Sequence, residues 1–204
     1  PDEQVLPLIG CFSGNGDLLG QWRAYTGDAS GISIGFSAPL IAKGLGVNIN
    51  KVIYDEKIKY KEILNHLLGL HQFWQQENEE YERIDIYAKG FSIDLNYYKN
   101  PGFFEEQEVR IVRLVVNDPE RGCYKDVGGN SELKEILPLE VKKRYRDSEE
   151  ILYLELPIEL SGRQVVQDVI LGPKCKTDIE TIRRKLDDSG LSNVSVTRSK
   201  LTYR

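Results

Sequence analysis

The chain has 204 residues, of which 40% are hydrophobic and 29% are charged, a balance typical of a globular protein with one core. Its formal net charge of -5 does not favour binding to nucleic-acid phosphates, although residues 173–204 are locally basic. Its three cysteines lack the spacing of a disulfide framework or a zinc site, and no apolar run is long enough to span a membrane. We therefore expect a cytoplasmic protein. Because the chain begins at Pro1 and contains no Met, we also expect that an N-terminal segment is missing from it.

Hydrophobic periodicity and turn residues divide the chain into short strands and helices. In chain order, they predict a strand at 6–13, a helix at 18–25, strands at 32–36 and 52–54, helices at about 55–76 and 82–97, strands at 104–114, 151–156 and 165–171, a helix at 178–188 and a strand at 193–199. Asp17 is the expected cap of the first helix, and Thr177 with Glu180 forms the expected capping box of the last. The Gly-rich segment 120–134 is predicted to be a loop.

This pattern predicts an α+β fold in a single domain over residues 1–204. We expect a split, mostly antiparallel sheet with flanking helices. The two helices between about residues 55 and 98 form an expected hairpin inserted between sheet strands.

The predicted strand at 104–114 carries an unusual set of polar residues. Because side chains alternate along a strand, Glu106, Glu108 and Arg110 are expected on one face, and Val109 and Ile111 on the other. The three polar groups have two interpretations. They pair with each other on the sheet, or the carboxylates project from the strand into a cleft.

Several segments, in this order, resemble the bacterial domain-of-unknown-function family 2971 over nearly the whole chain. They are Cys11-Phe12-Ser13, Trp22 with Tyr25, residues 31–36, residues 102–110, residues 170–173 and residues 194–204. This family resemblance implies no activity by itself.

A more distant resemblance is to ADP-ribosyltransferases of the Arg-Ser-Glu type. It rests on Ser13 at the end of a first strand and on Glu106-Gln107-Glu108-Val109 at the start of a later one. The resemblance implies NAD as co-substrate, an acceptor of unknown identity, and a toxin or defence setting. Glu108 would stabilise the oxocarbenium-like ribose because positive charge develops there in the transition state. Glu106 would orient or deprotonate the acceptor.

The same resemblance assigns the cofactor-binding residues. Ser13 would order the nicotinamide ribose, and Trp22 and Tyr25 would form walls of the pocket. Arg110 is placed with them as the partner of the two carboxylates. The sequence departs from the pattern at Gly14, which follows Ser13 where the family has Thr-Ser, and its first basic residue has no clear counterpart.

Two alternatives belong to other functional classes. In a non-catalytic module for a ligand or partner, Glu106, Glu108 and Arg110 form a buried structural network. In a divalent-metal nuclease, Glu108 is a ligand, but Arg110 stands where the active-site lysine is needed and does not give up its proton. His66 and His71 are five residues apart and do not form an i, i+4 metal pair, so we expect no metal.

The first two hypotheses predict different geometries. A transferase should have a cleft between Ser13 and Glu108 with both side chains pointing into it. In a binding module, Glu108 and Arg110 pair and are closed to solvent.

Overall fold

The computed structural model describes residues 5–47, 49–75, 81–127, 138–160 and 162–203. The strands are β1 (Val5–Ser13), β2 (Ile32–Phe36), β3 (Ile49–Lys51), β4 (Glu108–Asp118), β5 (Cys123–Asp126), β6 (Lys142–Arg146), β7 (Glu149–Tyr153), β8 (Glu159–Leu160), β9 (Arg163–Gln164), β10 (Val166–Leu171) and β11 (Ser195–Arg198). The helices are α1 (Leu19–Tyr25), α2 (Ala38–Leu45), α3 (Glu56–Gln75), α4 (Tyr81–Asp94) and α5 (Ile179–Asp188). Short 3₁₀ helices lie at Leu95–Tyr97 and Pro101–Glu106.

Two separate sheets form the framework, and β4 and β10 are their central strands. In the first sheet β4 pairs antiparallel with β1, β3 and β5. In the second sheet β10 pairs antiparallel with β2 and parallel with β11. Strands β6 with β7 and β8 with β9 form antiparallel hairpins. The predicted α+β fold with a split, mostly antiparallel sheet is confirmed.

The apolar core lies along the central strands because they have neighbours on both sides. Ile111 of β4 packs with Ile41 and Leu45 of α2, while Val169 and Leu171 of β10 are covered by α5. One ion pair is buried with them: Arg113 of β4 contacts Asp126 of β5, and its Nη1 donates to the Leu45 carbonyl at 2.8 Å. This pair connects the first sheet to α2.

The central strand begins at Glu108, four residues later than predicted. Pro101 begins a 3₁₀ helix, and the Asn100 side chain caps it by accepting a hydrogen bond from the Gly102 amide at 2.8 Å. Gln107 then adopts a left-handed conformation, with φ 47°. The prediction that Glu106 lies on the strand is therefore wrong, because this turn breaks the alternation of side chains before Glu108.

Helix capping also differs from the prediction at both positions. Leu18 is the N-cap of α1, and Asp17 instead accepts a hydrogen bond from the Trp22 indole at 2.7 Å. Asp178 rather than Thr177 caps α5, accepting from the Thr181 amide at 2.7 Å.

Other differences concern short elements. The prediction of a strand at 52–54 is wrong, because β3 ends at Lys51 and Ile53 forms an isolated parallel bridge with Tyr98. Helix α2 was not predicted because Pro39 and Gly44 obscure its helical pattern. Strand β5 occupies part of the predicted loop 120–134, and residues 128–134 lie outside the described residues. The two helices of the expected insertion are present as α3 and α4.

Candidate functional site

A cleft of about 530 Å³ separates the two sheets and is lined mainly by apolar side chains. The first sheet contributes Val109 and Ile111, which lie on one face of β4 because side chains alternate along the strand. The second sheet contributes Ile32 and Ile34 of β2, with Ile170 of β10. Ile170 pairs with Ser33, so it lies on the other face of the second sheet from Ile32 and Ile34, and all five residues of the edge strand β2 line the cleft. The cleft thus lies between the apolar face of β4 and the edge of the second sheet.

The face of β2 is only partly covered. Ile34 is 46% exposed, and Ile32 and Phe36 on the same face are also exposed. Phe36 meets Phe12 of β1 edge to face, with ring centroids 5.9 Å apart, and this contact bridges the two sheets. The apolar surface left open beside this contact can receive an apolar ligand.

Helix α1 contributes the two aromatic residues that the sequence predicted. Trp22 is buried, and its indole donates to Asp17. Tyr25, one turn later, is mostly exposed. Both residues line the cleft, Trp22 as a fixed part of the core and Tyr25 as an open, accessible ring.

Ser13 also lines the cleft, at the end of β1. Its hydroxyl lies 2.9 Å from the Glu106 carbonyl and 3.0 Å from the Asn15 carbonyl. The amide of Gly14 donates to the Gln107 carbonyl at 2.7 Å. These bonds fasten the loop after β1 to the turn before β4, so Ser13 has a positional role in the structure.

Neither predicted carboxylate residue, Glu106 or Glu108, is in the lining that includes Ser13, Trp22 and Tyr25. Glu108 and Arg110 alternate with the cleft residues Val109 and Ile111 along β4, so they lie on the opposite face of the first sheet. Glu108 is buried, with 5% of its surface exposed. Ser13 is directly opposite Glu108 in the strand pairing, but the cleft lining does not include Glu108.

Glu108 is the centre of a polar network. It accepts a hydrogen bond from Arg110 Nε at 2.7 Å and another from Lys99 Nζ at 2.8 Å. Lys99 also donates to Glu106 at 2.5 Å, which joins the second predicted carboxylate to the network. The Arg110 guanidinium further donates to the Asn96 carbonyl. We call Glu106, Glu108, Arg110 and Lys99 the carboxylate network.

Charge pairing dominates the pKa values of Glu108 and Lys99. Burial alone would raise the pKa of Glu108, but hydrogen bonds from Arg110, Lys99 and Cys11 outweigh it and hold the pKa at about 2. Burial likewise opposes the charged form of Lys99, yet its bonds to Glu106 and Glu108 raise its pKa. Burial and the neighbouring Glu108 raise the pKa of the Cys11 thiol. Glu108 is therefore an ionised carboxylate whose charge is already matched.

Sequence reasoning missed Lys99. It precedes the turn that reverses the chain before β4, and its amide donates to the Ile53 carbonyl at 3.2 Å. No periodic pattern links a residue in such a turn to a strand several residues later. The signal available was the charge balance, since two carboxylates and one arginine leave a negative charge to be matched.

The charge of the cleft itself is low. Asp168 of β10 is the one Asp, Glu, Lys, Arg or His among the described residues that line it. The diphosphate of NAD needs positively charged groups or helix amides to bind well. The lining supplies a carboxylate instead, which favours a ligand without phosphate groups.

The described ranges contain no group of three or more His, Cys, Asp or Glu placed to hold a metal ion. His66 faces Asp94, whereas His71 contacts Gln75. None of the described helices combines the length and the apolar character that crossing a membrane requires.

Comparison with known proteins adds one match. The family model described as Protein of unknown function (DUF2971) matches residues 21–111, from α1 into β4. The match includes Trp22, Tyr25 and the whole carboxylate network, and it confirms the resemblance to this family over these residues. No curated protein and no solved structure matches the chain. The resemblance to ADP-ribosyltransferases stays a hypothesis.

Proposed function

We propose that this protein is a binding module that takes a small, largely apolar ligand between its two sheets. The observation that carries the proposal is the open apolar face of β2 in a cleft of about 530 Å³. Burying such a surface is favourable, at about 25 cal/mol per Å² of apolar area. An exposed apolar concavity with a few polar groups is the usual form of a ligand site.

The lining also defines the charge of the ligand. Asp168 repels anions, while the hydroxyl of Ser33 and the amide of Gln21 offer neutral hydrogen bonds. The exposed ring of Tyr25 offers a face for stacking or for a cation. The preferred ligand is therefore neutral or cationic, with an aromatic or aliphatic body.

In this proposal the carboxylate network has a structural role. It fixes the start of β4 from the face opposite the cleft, and Ser13 fixes the end of β1 beside it. These two strand ends carry Phe12 and Val109, which line the cleft. A rigid wall loses less conformational entropy when a ligand binds.

A neutral apolar dye, Nile red, tests the proposal. Ile34→Asn should weaken dye binding about tenfold, since one aliphatic contact of about 1.4 kcal/mol is lost. Ile58→Asn is the matched control, because Ile58 is 47% exposed on α3 and Ile34 is 46% exposed in the cleft. Equal losses in the two variants, or no dye binding by the wild type, would refute the proposal.

Asp168 gives a second measurement at the same site. An anionic naphthalenesulfonate dye should bind more weakly than Nile red. Asp168→Asn should reduce the ratio of the two dissociation constants about threefold, because it removes a nearby negative charge. An unchanged preference would show that the dyes bind outside the cleft.

A second candidate function is NAD-dependent ADP-ribosyl transfer in a bacterial toxin or defence setting. One observation favours it: Ser13 and Glu108 face each other across neighbouring antiparallel strands, as the resemblance implies. Incubation with labelled NAD and a cell lysate would test it, with Glu108→Gln for comparison. Label transfer that is lost in the variant supports a transferase. Absence of both nicotinamide release and an NAD-induced rise in Tm excludes it.

Both candidates are proposed for the cytoplasm. The three cysteines, Cys11, Cys123 and Cys175, are free thiols, which fits a reducing compartment.

A further inference from the structure

A second cavity, of about 450 Å³, lies on the face of the first sheet opposite the cleft. Asn50 of β3 pairs with Arg110, whereas the neighbouring Ile49 pairs with the cleft residue Ile111. The cavity is completed by α3, by the end of α4 and by the 3₁₀ helix that follows it. It shares no lining residue with the cleft, so it is a separate site.

The buried member of the lining is Tyr97, which is 5% exposed. Its main chain is held by the Ile53 amide, which donates to the Tyr97 carbonyl at 2.8 Å. Its hydroxyl lies near the Asn50 amide, but no group in the described part of the chain completes a hydrogen bond of ordinary geometry with it. A buried polar group without a protein partner is destabilising unless a water molecule, an ion or a ligand satisfies it.

The polar groups around Tyr97 include both donors and acceptors. Glu62 accepts a hydrogen bond from the Tyr98 hydroxyl at 2.7 Å, and Asp94 faces His66 Nε2 at 3.4 Å. Lys51 and Asn65 line the same cavity, and within the described residues neither has a side-chain partner. Because Lys51 pairs with the cleft residue Val109, its side chain leaves the opposite face of β3, and the cavity offers two amides and a hydroxyl beside two carboxylates.

This combination selects one kind of ligand. Glu62 and Asp94 repel an anion, and each already has a partner, the Tyr98 hydroxyl or His66, so neither is a free counter-charge for a cation. Hydroxyl groups both donate and accept, so they can satisfy an amide, a phenol hydroxyl and a carboxylate together. We propose that this cavity binds a small polyhydroxylated molecule with vicinal hydroxyl groups, such as a monosaccharide or a ribose unit, which also supplies the missing partner of Tyr97.

The experiment is an NMR titration of the ¹⁵N-labelled protein with D-ribose and D-glucose as probes. The side-chain amide signals of Asn50 and Asn65 should shift on addition of at least one sugar. Tyr97→Phe should weaken that binding about fivefold, because one neutral hydrogen bond is lost. Without sugar, the same variant should raise the Tm by about 2 °C, because a buried hydroxyl without a partner is removed.

Tyr145→Phe is the control, because Tyr145 is 73% exposed on the β6–β7 hairpin and does not line the cavity. It should change neither the sugar affinity nor the Tm. Absence of shifts with both sugars would overturn the proposal, as would equal affinity in wild type and Tyr97→Phe. Stronger shifts with inorganic phosphate would also overturn it, since they would make the cavity an anion site.

Discussion

At the scale of single residues, Glu108 shows how the surroundings determine what a carboxylate can do. It is ionised, nearly inaccessible and bonded to two cations. A carboxylate that stabilises developing positive charge must be free to face it. The pairing with Arg110 and Lys99 is the geometry expected of a structural network, which is why the binding module is the first proposal.

Replacing Glu108 by Gln should destabilise the protein by about 3 kcal/mol at neutral pH, because Arg110 and Lys99 would lose a buried counter-charge. Urea unfolding followed by circular dichroism measures this loss. Arg146→Gln is the control, because Arg146 is an exposed residue of β6. Its free energy of unfolding should fall by less than about 0.5 kcal/mol.

The same residue predicts a pH dependence. The pKa of Glu108 is lowered from 4.5 to about 2 on folding, so its stabilisation is present above pH 4.5 and is lost as pH falls towards 2. Unfolding free energies of wild type and Glu108→Gln should therefore converge as pH decreases through this window. A constant difference would contradict the assigned pKa.

At the scale of elements, the pairing of β2 with β10 depends on a close contact at Gly35. Gly35 is opposite Asp168, and a Cβ added at Gly35 would collide with the Asp168 carboxylate. The register between these strands shifts next to Asp168. The glycine therefore lets the carboxylate lie across β2, where it lines the cleft.

Gly35→Ala should destabilise the protein by about 2 kcal/mol, the usual effect of overpacking. The double variant with Asp168→Ala should regain most of this loss, because the colliding carboxylate is removed. Gly20→Ala on α1 is the matched control: an added Cβ there meets nothing within 4 Å, so this variant should gain up to about 1 kcal/mol. Thermal unfolding distinguishes the three variants.

At the scale of the whole molecule, Asp17 links the loop before α1 to the segment that follows β11. Its carboxylate accepts hydrogen bonds from the Trp22 indole at 2.7 Å, from the Ser199 hydroxyl at 2.6 Å and from the Lys200 amide at 2.9 Å. Burial alone would raise its pKa, but these bonds lower it. The loop before α1 is thus fastened to the segment after β11.

Asp17→Ala should lower the free energy of unfolding by about 2 kcal/mol, because Trp22 and Ser199 would lose a charged hydrogen-bond acceptor. Trp22 fluorescence should change with it, since the indole loses its hydrogen bond. Asp188→Ala, at the exposed end of α5, should have little effect on either quantity. Unchanged stability in Asp17→Ala would show that these two segments are held by other contacts.

Much of the fold and part of the site were predictable from local patterns. The bounds of β2 agree with its alternating isoleucines, and β1, α1, α5 and the two helices after β3 lie close to their predicted positions. The resemblance grouped Ser13, Trp22 and Tyr25, and all three line one cleft. The strand start at Glu108 was not predictable, because it depends on the left-handed conformation of Gln107.

The sequence by itself determined that Glu108 and Arg110 share one face of β4 and that Val109 and Ile111 share the other. This follows from the covalent geometry of an extended chain, in which side chains alternate. Only the tertiary structure decided that the apolar face borders the cleft and that Lys99 neutralises the other face. Those outcomes depend on contacts between residues distant in the chain, whose arrangement no local pattern encodes.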